Sequence, residues 1–339
     1  MKTENLPFLA CPYCSGNLEI SSIYRSEDDI IKSGNLCCVV CKKTYEIVNY
    51  IPRFVPSRNY AASFGLEWLK HARTQYDSYS GVSDSEDRFF NETQWPRDLR
   101  GQHILEVGSG SGRFTEQAAS TGAFVVSMDY SCAVEANYAS NGSKPNVMIV
   151  QGDMYSMPFK KSLFDKLFCF GVLQHTPDVR KSFMSLPPFL KPEGELVVDV
   201  YKKPLVPFLS TKHYVRPITR RMNPDKLYKL IRSYVDFMWP LCNAIRKIPK
   251  IGSTLNWLLL VADYSRWHSD LKGNMLKEWA YLNTFDLLSP KYEQPQRIKT
   301  VQRWFKDACL IDIEVAYGYN GIEGRGKRKK SEGIERNGI

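Results

Sequence analysis

Three acids and a run of alternating glycines are the residues here whose types and spacing suggest chemistry. In "ILEVGSGSGRFT", Glu106 stands just ahead of Gly108, Ser109, Gly110 and Gly112; Asp129 ends the apolar run "AFVVSMD", and Asp153 ends "VMIVQGD". Glycines lack a Cβ, so they allow a tight strand-to-helix turn and close approach of a ligand to the backbone. The spacing is neither the G-x-G-x-x-G of dinucleotide folds nor a P-loop, since Arg113 stands where the last glycine is wanted and no lysine follows. A carboxylate at position 106 repels a pyrophosphate and favours a ligand that carries positive charge. S-adenosylmethionine has a sulfonium and an ammonium and no phosphate. Asp129 is then placed to accept the two ribose hydroxyls. Asp153 suits the exocyclic amine of an adenine, and Met154 the face of its ring. Acids at three consecutive strand ends are a stronger signal than the glycines alone.

A second constellation lies near the start of the chain. "CPYC" and "CVVC" place Cys11, Cys14, Cys38 and Cys41 on two C-x-x-C knuckles. Four thiolates on two tight turns suit tetrahedral Zn²⁺ in a zinc ribbon, with no open coordination position for catalysis, so the metal is expected to be structural. Cys37 is the spare thiol by register. The other four of the nine cysteines, Cys132, Cys169, Cys242 and Cys309, sit singly among apolar neighbours and read as small buried hydrophobes.

Around the acids, short apolar runs alternate with amphipathic ones: "HILEV", "RFTEQAAST", "AFVVSMD", "CAVEANYAS", "VMIVQGD", "KLFCFGV", "GELVVDVY". Strands alternating with helices imply an α/β fold, a doubly wound Rossmann-like parallel sheet with right-handed crossovers. The chain divides into a zinc ribbon (1–56), a helical lead-in (57–100), the α/β core (101–201), a basic helical insertion (202–290), a closing helix and strands (291–324) and a basic tail (325–339). The insertion is sited to cover the carboxyl edge of the sheet, where ligands of such folds bind.

The ordered set "LEVGSGSGRFT", "MDYS", "QGDMYSMPF", "FDKLFCFGVLQHTPD" and "LKPEGELVVDVY" resembles the class I S-adenosylmethionine-dependent methyltransferases, in the type-11-like branch that includes bacterial polysaccharide and secondary-metabolite enzymes. Glu193 replaces the first of two glycines usual in the last motif. The resemblance implies a cofactor site formed by Glu106, Gly108, Ser109, Gly110, Gly112, Asp129, Tyr130, Asp153, Met154, Phe170 and Gly171. It also places His175 near the cofactor, facing the acceptor as a general base or shaping the turn. Asp199, Tyr201 and His213 are weaker candidates. The cysteine segment is similar to the zinc-ribbon module that activates some RNA and protein methyltransferases, with Tyr45, Glu46 and Ile47 where that module has Tyr-Pro-Ile. "YLNTFDLLSPKYEQPQRIKTVQRWFKDA" resembles a segment that closes over substrate in sugar and small-molecule methyltransferases; Phe285, Tyr292 and Trp304 there could stack on a ring or simply pack.

The 339 residues carry a formal charge of +10, concentrated between Tyr201 and Leu260. That segment reads as a solvated helical face or as a surface for an anionic substrate, a membrane or a nucleic acid. No secretory signal is visible and the apolar run Trp257 to Ala262 is far short of the roughly 20 residues of a spanning helix. The expectation is a cytoplasmic enzyme with no transmembrane segment, at most in peripheral membrane contact. Its acceptor is expected to be a small molecule or glycan, anionic, such as a nucleotide- or lipid-linked sugar. The rivals are an RNA methyltransferase that uses the ribbon and the basic surface, and a non-enzymatic zinc-ribbon adaptor with a retained cofactor scaffold.

Overall fold

The computed structural model describes residues 1–56, 59–204, 211–268 and 270–330. Eleven strands form one sheet: β1 (Leu18–Glu27), β2 (Ile30–Cys38), β3 (Thr44–Val48), β4 (Ile51–Arg53), β5 (His103–Val107), β6 (Phe124–Asp129), β7 (Val147–Gln151), β8 (Phe164–Cys169), β9 (Leu190–Val200), β10 (Leu310–Gly318) and β11 (Gly321–Arg328). Their order is β1-β2-β3-β4-β7-β6-β5-β8-β9-β11-β10. From β7 to β9 the pairing is parallel, and β11 then enters antiparallel between β9 and β10. The central strands are buried on both faces because helices cover both sides, so they read as continuous apolar runs and not as alternating ones. From β5 the chain runs out through β6 to β7 on one side and returns to β8 on the other. This reversal opens a crevice at the carboxyl end of β5.

The zinc-ribbon segment is not a separate bead. Its antiparallel strands β1 to β4 extend the main sheet, with β4 lying parallel to β7 at Arg53 and Gln151. Phe54 N–H donates to the Gln151 carbonyl at 2.9 Å, and Ala10 N–H to that of Pro158 at 2.9 Å. Arg53 adds a side-chain bond to Gln151 at 2.8 Å. Leu36, Cys38 and Ile47 share one apolar core with Val126, Met148 and Phe159.

The insertion has a core of its own, in which Leu227, Ile231 and Val235 from helix Pro224–Arg246 meet Phe285 and Leu288 from helix Gly273–Leu288. Asn223 caps the longer helix by accepting the Lys226 N–H at 3.2 Å, with Pro224 preset for the first turn. The lead-in helix Ala62–Lys70 lies between this insertion and the sheet. Just past it, His71 Nε2 meets the Tyr228 hydroxyl at 2.9 Å, and Trp279 Nε1 donates to the Thr74 carbonyl at 3.0 Å.

Two sequence expectations give way here. Residues 325 to 328 are not tail: they are the last part of β11, where Arg325 reaches the Glu92 carbonyl at 2.6 Å, Lys327 pairs with Asp312, and Arg328 bonds the Leu190 carbonyl. Basic side chains alternating with glycine in "GRGKR" look like a tail when counted by charge, yet the small residues let the strand pass closely over Phe305. Residues 331–339 of the expected tail, and 205–210 of the insertion, lie outside the described residues. Cys309 is exposed, at φ 54° in the turn before β10, and not a buried hydrophobe. Glu193 adopts φ 65°, the left-handed conformation that the missing glycine would take without strain.

Candidate active site

The crevice at the end of β5 holds a cavity of ≈ 220 Å³. Its floor is the turn from β5 into helix Arg113–Ser120. Gly108, Gly110 and Gly112 take φ of 84°, 55° and 93°, conformations that favour glycine. A Cβ on Gly108 would lie 2.2 Å from Val172, and one on Gly112 2.1 Å from Asn137, so the turn is closely packed as well as left-handed. Ser109 Oγ is buried and has no hydrogen-bond partner, although Ser109 lines the cavity. An orphaned donor in that position fits a polar ligand on the loop.

Asp129, Tyr130, Asp153, Met154, Phe170, Gly171 and His175 all line this cavity with the glycine turn, and Glu106 does not. The Glu106 carboxylate is 2% exposed; it accepts from the Ser127 hydroxyl at 2.8 Å and from that of Thr115. Asn137 donates to the same two hydroxyls, at 2.9 and 3.0 Å. Glu106 therefore ties the first turn of helix Arg113–Ser120 to β5 and β6 from behind the loop. Burial pushes its carboxyl up to about 7. The side chains of a strand alternate between the two faces of the sheet, and this one falls on the helix side and not toward the crevice.

Asp129 is also partly committed to the protein. Its Oδ2 accepts the Gly110 N–H at 2.9 Å, and Oδ1 accepts both the N–H and the hydroxyl of Ser131 at 2.7 Å each. Counting lone pairs leaves room for one ligand hydroxyl where the sequence reading expects two. Asp153 Oδ1 accepts the Tyr155 N–H at 2.9 Å. Burial raises both carboxyls above their ordinary range.

His175 is 7% exposed, with its ring edge-on to Phe64 and to Tyr201 at 5.1 and 5.3 Å. Its Nδ1 lies 3.0 Å from the Tyr292 carbonyl oxygen, which can only accept. Nδ1 therefore carries the proton, and in the neutral ring Nε2 keeps its lone pair. Burial holds the imidazole below its ordinary value, which favours that neutral form.

The weaker candidates separate. Tyr201 lines the cavity. Asp199 is fully buried in a salt bridge with Arg88 and accepts the Gly171 N–H, so it braces the wall and does not face the acceptor. His213 sits on the outer side of helix Lys212–Thr219, exposed to solvent. Phe285 and Trp304 are packed core residues, while Tyr292 meets Tyr60 edge-on at 5.7 Å.

Several wall residues escape the sequence reading. Tyr60, Phe64, Glu67, Trp68 and Arg88 come from the lead-in, Tyr264, Asn283 and Asp286 from the insertion, and Asn320 from the closing strands. Tyr60, Phe64 and Trp68 recur every fourth residue with Glu67 on the same face, a helical stripe visible in "NYAASFGLEWLKH". The distant contributions carry no such signal. The wall also does not suit the anionic acceptor expected from the basic insertion. It carries Glu67, Asp129, Asp153 and Asp286, whereas Arg88 is held by Glu92 and Asp199 and Arg113 by Asp84.

At the other end of the sheet, the Sγ atoms of Cys11, Cys14, Cys38 and Cys41 all lie within 4.8 Å of one another. Cys11 and Cys41 are 3.6 Å apart, and Cys14 and Cys38 3.4 Å. Each knuckle closes in the same way: the Ser15 N–H returns to the Cys11 carbonyl at 2.8 Å and the Lys42 N–H to that of Cys38 at 3.0 Å, with both residues left-handed. Those separations match the edges of a tetrahedron with metal–sulfur bonds of about 2.3 Å. Cys37 Sγ turns to the Cys38 and Lys42 carbonyls instead.

Residues 105–198 match the family described as "Methyltransferase domain". The demethylmenaquinone methyltransferase of Corynebacterium efficiens is 28% identical over 178 residues, 52% of this chain and 74% of that one. The tRNA U34 carboxymethyltransferase of Ruthia magnifica is 32% identical over 106 residues, 30% of this chain and 33% of that one. The crystal structure of YcgJ from Bacillus subtilis covers 74% of this chain and all of its own, with 15% identity and a TM-score of 0.41. The family match begins one residue before Glu106 and ends one before Asp199, so it spans the glycine turn and the acids after β6 and β7. Over residues 105–198 this chain carries a methyltransferase domain.

Proposed function

We propose that the chain transfers a methyl group from S-adenosylmethionine to a small-molecule or glycan-type acceptor held under the insertion, with His175 as general base. The observation that carries this reading is the His175 ring: its Nδ1–H is held by the Tyr292 carbonyl, and its side chain lines the cavity beside Tyr201. Enclosure by Phe64, Tyr264 and helix Gly273–Leu288 favours a small acceptor over a folded macromolecule.

The residues that would hold the cofactor are the Gly108–Gly112 turn with Ser109, then Asp129 with Tyr130, Asp153 with Met154, and Phe170 with Gly171. Bound there, the cofactor supplies an electrophilic methyl on a sulfonium. The protein's part is then to position the acceptor in line and to exclude water. An acceptor hydroxyl loses its proton to His175 Nε2. Tyr292 keeps the imidazole in the tautomer able to take it. Zn²⁺ on the four cysteines would staple the ribbon to the sheet edge; four thiolates leave no position for a substrate.

Calorimetric titration of zinc-replete protein with S-adenosylmethionine and S-adenosylhomocysteine, beside NADH and ATP, tests the reading. Binding of the first pair alone is expected; their failure to bind folded protein refutes it. RNA as acceptor predicts binding of bulk RNA with a steep salt dependence.

A further inference from the structure

Glu67 is 1% exposed, and its Oε2 has no hydrogen-bond partner among the described residues although the residue lines the cavity. Burial, and then the neighbouring Asp286, push its carboxyl well above the ordinary range. No cation is bonded to it among the described residues. Asp286 lines the same cavity and acts electrostatically on His175, Tyr201 and Tyr264, which places it on the His175 side. Lys212 and Arg216 of the insertion pair with Glu293 and also act electrostatically with Asp286, whereas neither reaches Glu67. Glu67, with no cation acting on it among the described residues, thus stands with Asp286 in a wall that also holds the aromatic rings of Phe64, Tyr201 and Tyr264. A buried acid of this kind is costly unless a donor reaches it. Carboxylates combined with aromatic faces are the chemistry that recognises an ammonium.

We propose that Glu67 and Asp286 form an amine-binding subsite, so that the acceptor of this enzyme carries a basic amino group held between them. This rests on the methyl-transfer reading above and names the acceptor class for the same cavity. The test titrates protein saturated with S-adenosylhomocysteine with matched probes: 2-phenylethylamine against 2-phenylethanol, and glucosamine against glucose, with phenylacetate as the anionic twin. At least one amine is expected to bind about tenfold or more tightly than its alcohol. In Glu67→Gln and in Asp286→Asn that preference falls below about threefold while S-adenosylhomocysteine binds as before. Equal binding of amine and alcohol, tightest binding of phenylacetate, or no binding of any probe by the loaded protein overturns the subsite and leaves the cofactor assignment intact. Failure of S-adenosylhomocysteine itself to bind overturns the methyl-transfer reading instead.

A different observation concerns the outer face of the insertion. Leu230, Phe237 and Leu241 lie along one exposed stripe of helix Pro224–Arg246, with Phe237 81% exposed, and Ile248 and Ile251 in the turn that follows are exposed as well. Arg220, Arg221, Lys226, Lys229, Lys247 and Lys250 of the same segment are all exposed and form no ion pair among the described residues. Apolar side chains together with exposed cations complement an anionic lipid surface, where both contributions add. We infer that this face docks on anionic membranes. Cosedimentation of the full chain with phosphatidylcholine vesicles and with an equal mixture of phosphatidylcholine and phosphatidylglycerol tests it. Binding to the mixed vesicles alone is expected, weakened at least about tenfold in the Phe237→Ser, Leu241→Ser double variant at an unchanged thermal midpoint. No binding to mixed vesicles, binding indifferent to the two substitutions, or capture of RNA in preference to vesicles overturns it.

Discussion

Replacing Glu106 by Gln should stabilise the ligand-free protein above neutral pH and leave it unchanged near pH 5. In the fold the Glu106 carboxyl is buried against Thr115 and Ser127 and titrates at about 7, against an ordinary value of 4.5. Between those values the native state holds a proton that the unfolded chain has released, so the native state binds more protons and stability falls as pH rises. At about 1.4 kcal/mol per tenfold change in proton affinity, the whole loss is about 3.5 kcal/mol, and it is complete once the pH exceeds the folded value. Glutamine keeps an oxygen for the Thr115 and Ser127 hydroxyls and removes the ionisation. Urea unfolding of wild type and Glu106→Gln at pH 5, 6, 7 and 8 should show the two coinciding at pH 5. They should then diverge until the variant leads by about 3 kcal/mol at pH 8. Other buried acids titrate in both proteins and cancel in the difference. A difference independent of pH, or a variant less stable at pH 8, would refute the account of Glu106 as a buried strut that ionises at a cost.

His175→Gln should lower the turnover of labelled methyl by about 10²–10⁴-fold with cofactor affinity retained. Because burial lowers the wild-type imidazole, the rate should hold as pH falls past 6.5 and drop only below it, and a rate already halved at pH 7 would contradict this. Cys38→Ser should reduce zinc from one atom per chain to nearly none by elemental analysis. Since the ribbon extends the main sheet, it should also lower the single thermal midpoint and not produce a separate early transition. Gly112→Ala, at φ 93° with its new Cβ pressed on Asn137, should destabilise the fold by about 2 kcal/mol or more in urea unfolding, whereas Gly101→Ala, also left-handed but with nothing near its Cβ, should cost about 1.

The strands β5 to β9 were legible because each is a short apolar run between turn residues, and a parallel strand covered on both sides leaves that signature. The cysteine knuckles were legible because ligand spacing is local. Less could be read of which way a side chain points. Glu106 and Asp129 both lie at strand ends beside the glycine turn, yet one braces a helix from behind and the other faces the crevice. The basic residues were counted in the sequence as one patch. In the fold Lys212 and Arg216 are spent on Glu293, and Arg325 and Arg328 on backbone carbonyls, while those on the outer helix face form no ion pair among the described residues.

The sequence by itself determined the parallel core, the cysteine cluster and the ordered motifs of the methyltransferase domain, because these depend on spacings within a few residues. Only the tertiary structure decided which residues wall the cavity. Glu67, His175, Tyr201 and Asp286 come from four separate segments, and they acquire a common chemistry only when the insertion folds over the sheet edge and excludes water from the acids it covers.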